Sequence, residues 1–216
     1  MENIIKRLIE AHIRQNVSTA IPAKVVSVTS LNSKQVIDAI PLVNRVYEDN
    51  TVLEPATLTD IPLVFPSAGG GVLSFPIAVG DTVLLVYSMR SIDEWSSSDG
   101  SAQTPRDSRH FSRSDAIAIP GLYTDSTHLQ PNTTDVELKF NDLHLILEAG
   151  GDITLSNPSY SLKLKANGDV LHSSGAKISA GGDFITAAGV SLDNHVHAQG
   201  IDSDSNTQVP TEPPTV

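Results

Sequence analysis

A four-residue signature recurs in the second half of the sequence and limits what that half can become. It reads Gly150-Gly151-Asp152-Ile153, then Asn167-Gly168-Asp169-Val170, then Gly181-Gly182-Asp183-Phe184, at spacings of 17 and 14 residues. Before and between these signatures apolar and polar residues alternate. Val136, Leu138 and Phe140 interleave with Glu137, Lys139 and Asn141, the pattern resumes at Leu143, Leu145 and Leu147, and it returns at Leu162 and Leu164 beside Lys163 and Lys165. A period of two is that of a strand with one buried face. Gly-Asp supplies the backbone freedom and the local acceptor that turns need. Short strands cut by recurring turns predict a β-helix or β-prism over residues 135–192. So short a stretch, with few large side chains, can hardly enclose a core in one chain. Three copies wound about a common axis could, each contributing one wall. A β-sandwich would explain the alternation but not the repeated Gly-Asp turns.

Directly after the repeat stands Leu192-Asp193-Asn194-His195-Val196-His197. Residues i and i+2 of an extended segment point the same way, so His195 and His197 offer two imidazoles in one direction. Two are a weak metal site. On a threefold axis they become six, an octahedral nitrogen shell for a transition ion such as iron. The remaining residues, 198–216, hold Gly200, several Asp and Ser, and Pro210, Pro213 and Pro214, which reads as a compact loop-like cap. The other five histidines are scattered singly and give no ligand spacing.

Upstream, Ile4, Ile5, Leu8, Ile9 and Ile13 fall at helical spacing, with Lys6, Arg7, Glu10 and Arg14 on the other side. One short amphipathic helix over residues 1–17 is marginal alone. Its apolar face is expected to rest on the chain's own barrel first, and on a neighbouring subunit second. From about residue 20 to 120 the pattern is β. Lys24 to Ser30 alternates, Leu31-Asn32-Ser33 turns, and Gln35 to Val46 continues as a second strand. Pro62 and Pro66 confine the next run to an edge or bulge. Thr82 to Tyr87 is the strongest buried strand, and several short strands within about 100 residues suggest a small closed barrel over 18–122. Residues 123–134 read as a linker.

The charge balance is 14 basic against 25 acidic side chains, a net of −11. It is uneven: residues 1–50 are nearly neutral, and Lys177 is the only cation after residue 169. An acidic chain of this kind lacks the electrostatic footprint of a nucleic-acid binder. With no cysteine, any metal must be held by imidazole, carboxylate or backbone oxygen. No apolar run approaches the roughly 20 residues of a membrane-spanning helix. The first residues lack the apolar block of a secretory signal, so the expectation is a product made in the cytoplasm. Catalytic motifs are missing: there is no Gly-x-Ser-x-Gly elbow, and the Gly69–Gly71 loop has no following Lys-Ser/Thr. Asp93 and Glu94 are neighbours, and Asp152, Asp169 and Asp183 sit in turns, where backbone chemistry alone favours Asp. The chain is not expected to be an enzyme.

The order of parts resembles the Mu-type central spike proteins of contractile-tailed bacteriophages. Three barrel stretches carry the likeness: Phe65 to Gly71, Val79 to Leu85, and Ser114 to Gly121, with Arg90 to Trp95 between the last two. The tip match is Asp193-Asn194-His195-Val196-His197, similar to the family's apical His-x-His site. Family tips often continue with Gly, whereas Ala198-Gln199-Gly200 follows here. The resemblance implies a mainly β homotrimer. An N-terminal helix (1–17) and an oligonucleotide/oligosaccharide-binding (OB) barrel attach to the baseplate hub and tail tube, and an intertwined trimeric β-helix (135–192) ends in a metal-bound apex (193–216). One iron ion per trimer would be held by His195 and His197 of three chains. Such a spike is a virion component, driven mechanically through the outer membrane of the host, with no nucleic-acid partner. The rival class is a tail adhesin or an enzyme that binds or cleaves surface polysaccharide; a spike of a phage-derived injection apparatus is a third possibility.

Overall fold

The computed structural model describes residues 2–31, 34–47, 49–127 and 130–213. It divides into two compact units, residues 1–128 and 129–216.

The first unit begins with α1 (Glu2–Asn16). Ile4, Ile5, Leu8, Ile9 and Ile13 each leave 52–65% of their surface in solvent. The barrel therefore does not cover this face, contrary to the expectation from sequence. Nine strands follow: β1 (Ala20–Leu31), β2 (Lys34–Pro41), β3 (Arg45–Val46), β4 (Val52–Leu53), β5 (Leu58–Pro62), β6 (Ser67–Ala68), β7 (Gly71–Val72), β8 (Thr82–Tyr87) and β9 (Ala116–Pro120). The turn read at Asn32-Ser33 lies outside the described residues. The second strand stops at Pro41 rather than continuing to Val46, and Arg45–Val46 instead forms a small hairpin with β4.

Five strands make an antiparallel sheet in the order β5-β2-β1-β8-β9. Its outer strands approach each other: Leu63 bridges Ala118 in parallel, and Val64 N–H donates to Ala118 O at 3.0 Å. The sheet thus curls as a half-barrel whose inner face is filled. Alternate residues Val83, Leu85 and Tyr87 of β8 point inward with Ala23, Val25, Ile37, Ile61 and Ala118. Small residues at 23, 39, 116 and 118 let the strands curl tightly over Ile37 and Leu85. Pro62 ends β5, where a missing N–H costs no ladder bond.

The second unit is a single antiparallel meander of seven strands. They are β10 (Val136–Phe140), β11 (Leu143–Leu147), β12 (Ile153–Ser156), β13 (Ser161–Leu164), β14 (Val170–His172), β15 (Lys177–Ile178) and β16 (Phe184–Ile185). Each pairs only with its sequence neighbours. Strand length falls along the chain from five residues to two, so the sheet narrows from about 17 Å to about 7 Å at roughly 3.3 Å per residue.

The register aligns the apolar residues into columns that run across the strands. One joins Val136, Leu147, Ile153, Leu164, Val170, Ile178 and Phe184; the next joins Leu138, Leu145, Leu155 and Leu162 and ends at His172. Both lie on one face, and that face is uncovered: Val136, Leu155 and Phe184 are 56–68% exposed. The opposite face carries Glu137, Lys139, His144, Thr154 and Lys163. His144 bonds to Glu137 there. Lys163 Nζ lies 2.8 Å from Glu148 Oε1, and Lys165 Nζ lies 2.7 Å from Asp152 Oδ2.

The Gly-Asp signatures have a second role besides turning the chain. Each closes a three-residue loop whose last residue is a left-handed glycine, the geometry of a type I turn with a G1 bulge. The aspartate after it then reaches to the next turn on the same edge. Asp152 Oδ1 accepts from Ala166 N–H at 2.8 Å, and Asp169 Oδ1 accepts from Ala180 N–H at 2.8 Å. Asp135 takes the N–H of Ala149 in the same way. These turns also stack closely: a Cβ on Gly168, at φ +93°, would stand 3.3 Å from Ala180 Cβ.

Candidate functional site

The last aspartate of this series organises the segment that holds the two histidines. Asp183 Oδ1 accepts from both Leu192 N–H and Asp193 N–H at 3.1 Å, and its Oδ2 accepts from the Ser191 hydroxyl at 2.7 Å. The Ser191 hydroxyl and those two amides hold the Asp183 carboxyl below its ordinary range. Ser191 Oγ in turn accepts from Asn194 N–H at 2.9 Å. The chain entering His195 is therefore fixed by the same device that links the turns above it.

His195 and His197 are brought together: their ring centroids are 5.1 Å apart and the rings perpendicular. His195 Nδ1 is 2.9 Å from Leu192 O. A carbonyl can only accept, so Nδ1 carries a proton, which leaves Nε2 as the nitrogen able to offer a lone pair. Tying one ring nitrogen to a carbonyl while the other stays open is the usual arrangement behind a metal-binding imidazole. His197 is held through its backbone. Its N–H donates to Thr211 Oγ1 at 2.8 Å, and Thr211 N–H donates to His197 O at 3.0 Å. Residues 198–210 thus form a loop closed on His197, shaped internally by Asp202, whose Oδ1 accepts from Asp204 and Asn206 N–H.

Among the described residues no group of three or more His, Asp or Glu side chains gathers as a metal site. His195 and His197 are two donors, fewer than a metal's coordination shell takes.

The first unit contains an ionic cluster around one buried carboxylate that sequence reasoning missed. Asp115 is fully buried at the start of β9. Arg109 binds it with both arms, Nε to Oδ2 at 2.8 Å and Nη2 to Oδ1 at 2.9 Å. Ile92 N–H adds a third bond to Oδ1 at 3.1 Å. Arg109 also reaches Asp93 and Asp107. Arg109 and the Ile92 amide lower the Asp115 pKa, while its three carboxylate partners raise that of Arg109. The cluster staples the polar stretch 90–110, including the one-turn helix α2 (Asp93–Ser96), onto the half-barrel. The signal in the sequence was a lone Asp in an otherwise apolar strand entrance, Ser114-Asp115-Ala116-Ile117. A carboxylate there must find a cation.

Residues 21–121 match the family described as phage protein Gp138 N-terminal domain. The matched segment spans β1 to β9, the whole half-barrel, and covers just under half of the chain. It supports a phage structural protein of the tail or baseplate, and hence a virion component. No curated protein matches the chain.

Proposed function

We propose that the chain is the central spike of a contractile-tail baseplate, a homotrimer that perforates the host outer membrane mechanically. The observation that carries this reading is the pair of uncovered apolar columns on a meander that narrows toward the histidines. A monomer seldom leaves so much contiguous apolar surface in water. Three such sheets, apolar faces inward, would enclose a core that one cannot. The outer faces would then present Lys163, Glu137 and their ion pairs to solvent. The phage-family match of the half-barrel supports a tail location. Its strand order, with β5 and β9 meeting in parallel, supports a partly open OB-type barrel. In this reading the barrel attaches the spike to the baseplate hub and tail tube.

At the narrow end, His195 and His197 of three chains would hold one transition-metal ion, with iron the expected occupant. The donor set fits: six imidazoles, with the Nε2 of His195 left open by the Leu192 carbonyl. The ion would tie three chain ends that otherwise fray. Force on the tip is then carried by all three chains together. No catalysis and no nucleic-acid partner are invoked.

Elemental analysis of the purified protein, combined with its mass in solution, tests this. The expected result is a trimer with one transition-metal ion per three chains, lost in the double variant His195→Ala, His197→Ala. A metal-free wild type, or metal retained by that variant, overturns the apex assignment. A monomer overturns the shared core.

A further inference from the structure

The helix α1 carries an apolar surface that the chain leaves uncovered and that the spike reading does not use. Its apolar residues cover about half the circumference at 100° per residue, from Ile4 and Leu8 through Ile5 to Ile9 and Ile13. That arc is broader than the narrow a/d seam by which one helix meets a single partner. It suits a helix lodged against two neighbours at once. The exposed area agrees. Five Ile and Leu side chains, each more than half exposed, present roughly 500 Å² per chain, or roughly 1,500 Å² over three copies, within the range of total surface that a specific association buries. The side away from that arc is mixed, Arg7 with Glu10, and residues 1–50 are nearly neutral, so three copies can gather without a like-charge penalty.

We infer that α1 is a trimerisation element: the α1 helices of three chains pack their Ile/Leu faces together in a three-helix bundle. This rests on the trimeric reading of the second unit but involves a different surface, so the two can fail separately. The sequence offers a clean test because it has no cysteine. Leu8→Cys places one thiol per chain on the apolar face, and Glu10→Cys places one about 160° round the helix from it. Under mild oxidation of the full-length protein, Leu8→Cys should give disulfide-linked pairs on a non-reducing gel, with the third thiol of each trimer left over. Glu10→Cys should stay uncrosslinked. A trimer by mass in which Leu8→Cys does not crosslink overturns the inference while leaving the spike reading intact. So does co-sedimentation of the wild type with phosphatidylglycerol vesicles that the double variant Ile5→Asp, Ile9→Asp abolishes while the trimer persists. A monomer by mass overturns both.

Discussion

Leu155 lies in the middle of the second apolar column, between Leu145 and Leu162, and is 56% exposed in the single chain. Leu155→Asp should therefore disturb assembly far more than the meander itself. The uncovered part of the side chain is about 100 Å², worth about 2.5 kcal/mol at ~25 cal/mol per Å² if another chain covers it. A threefold assembly loses this three times, about 7.5 kcal/mol, before counting the cost of three carboxylates forced into an apolar core. That is roughly five powers of ten in the association constant. Sedimentation equilibrium over a dilution series reads the loss directly, with the variant expected as monomer at concentrations where the wild type is trimer. Ser156→Asp is the control. It adds the same charge to the same strand, one residue on and on the opposite face, and should remain trimeric. If Leu155→Asp assembles as tightly as wild type, or Ser156→Asp dissociates equally, the apolar face is not the shared surface.

Two further outcomes follow from the ion pairs. Asp115→Ala removes three hydrogen bonds from a buried carboxylate site; because Arg109 keeps Asp93 and Asp107 and is partly exposed, the cost sits at the lower end for a broken buried pair, about 3 kcal/mol. Calorimetry should show the transition of the first unit lowered by about 10 °C, with the second unit unchanged. In the second unit Lys165, with the Ala166 amide, holds the Asp152 pKa down at about 2. A depressed carboxylate contributes stability that is fully present above its unfolded pKa, about 3.9, and is lost as pH falls toward the folded value. Melting temperatures should thus drop between pH 4 and pH 2, and Asp152→Asn should flatten that drop; an equally steep acid limb in the variant would refute the assignment.

The sequence made the second unit legible because its two signals are local. The alternation from Val136 to Leu147 assigns faces without knowing any partner strand, and Gly-Asp marks each turn. What it did not disclose is where each aspartate's bonds go. Asp152 and Ala166 are 14 residues apart, a distance set by strand length and not by turn chemistry, so a locally favoured residue concealed a link between turns. In the first unit the order of strands was readable but their ends were not, as with β2 stopping at Pro41. The Arg109–Asp115 pair was hidden for a different reason: the partners come from a polar loop with no period, and only the fold decides which of the four arginines between residues 51 and 130 meets Asp115. The amphipathic helix was correctly placed, yet its partner was not, because periodicity shows that a face must be covered without saying by what.

The meander has a consequence for how such a protein can evolve. Every strand of the second unit pairs only with the strands before and after it, and the Gly-Asp turns are tied one to the next along their edge. Contacts of this kind are additive along one dimension, as in repeat proteins, and demand no long-range closure. A hairpin could be inserted or deleted between two Gly-Asp turns without redesigning anything beyond its neighbours. Length is then a freely tunable quantity, adjustable in steps of roughly 10 Å per hairpin from the spacing of paired strands, while the two ends stay as they are.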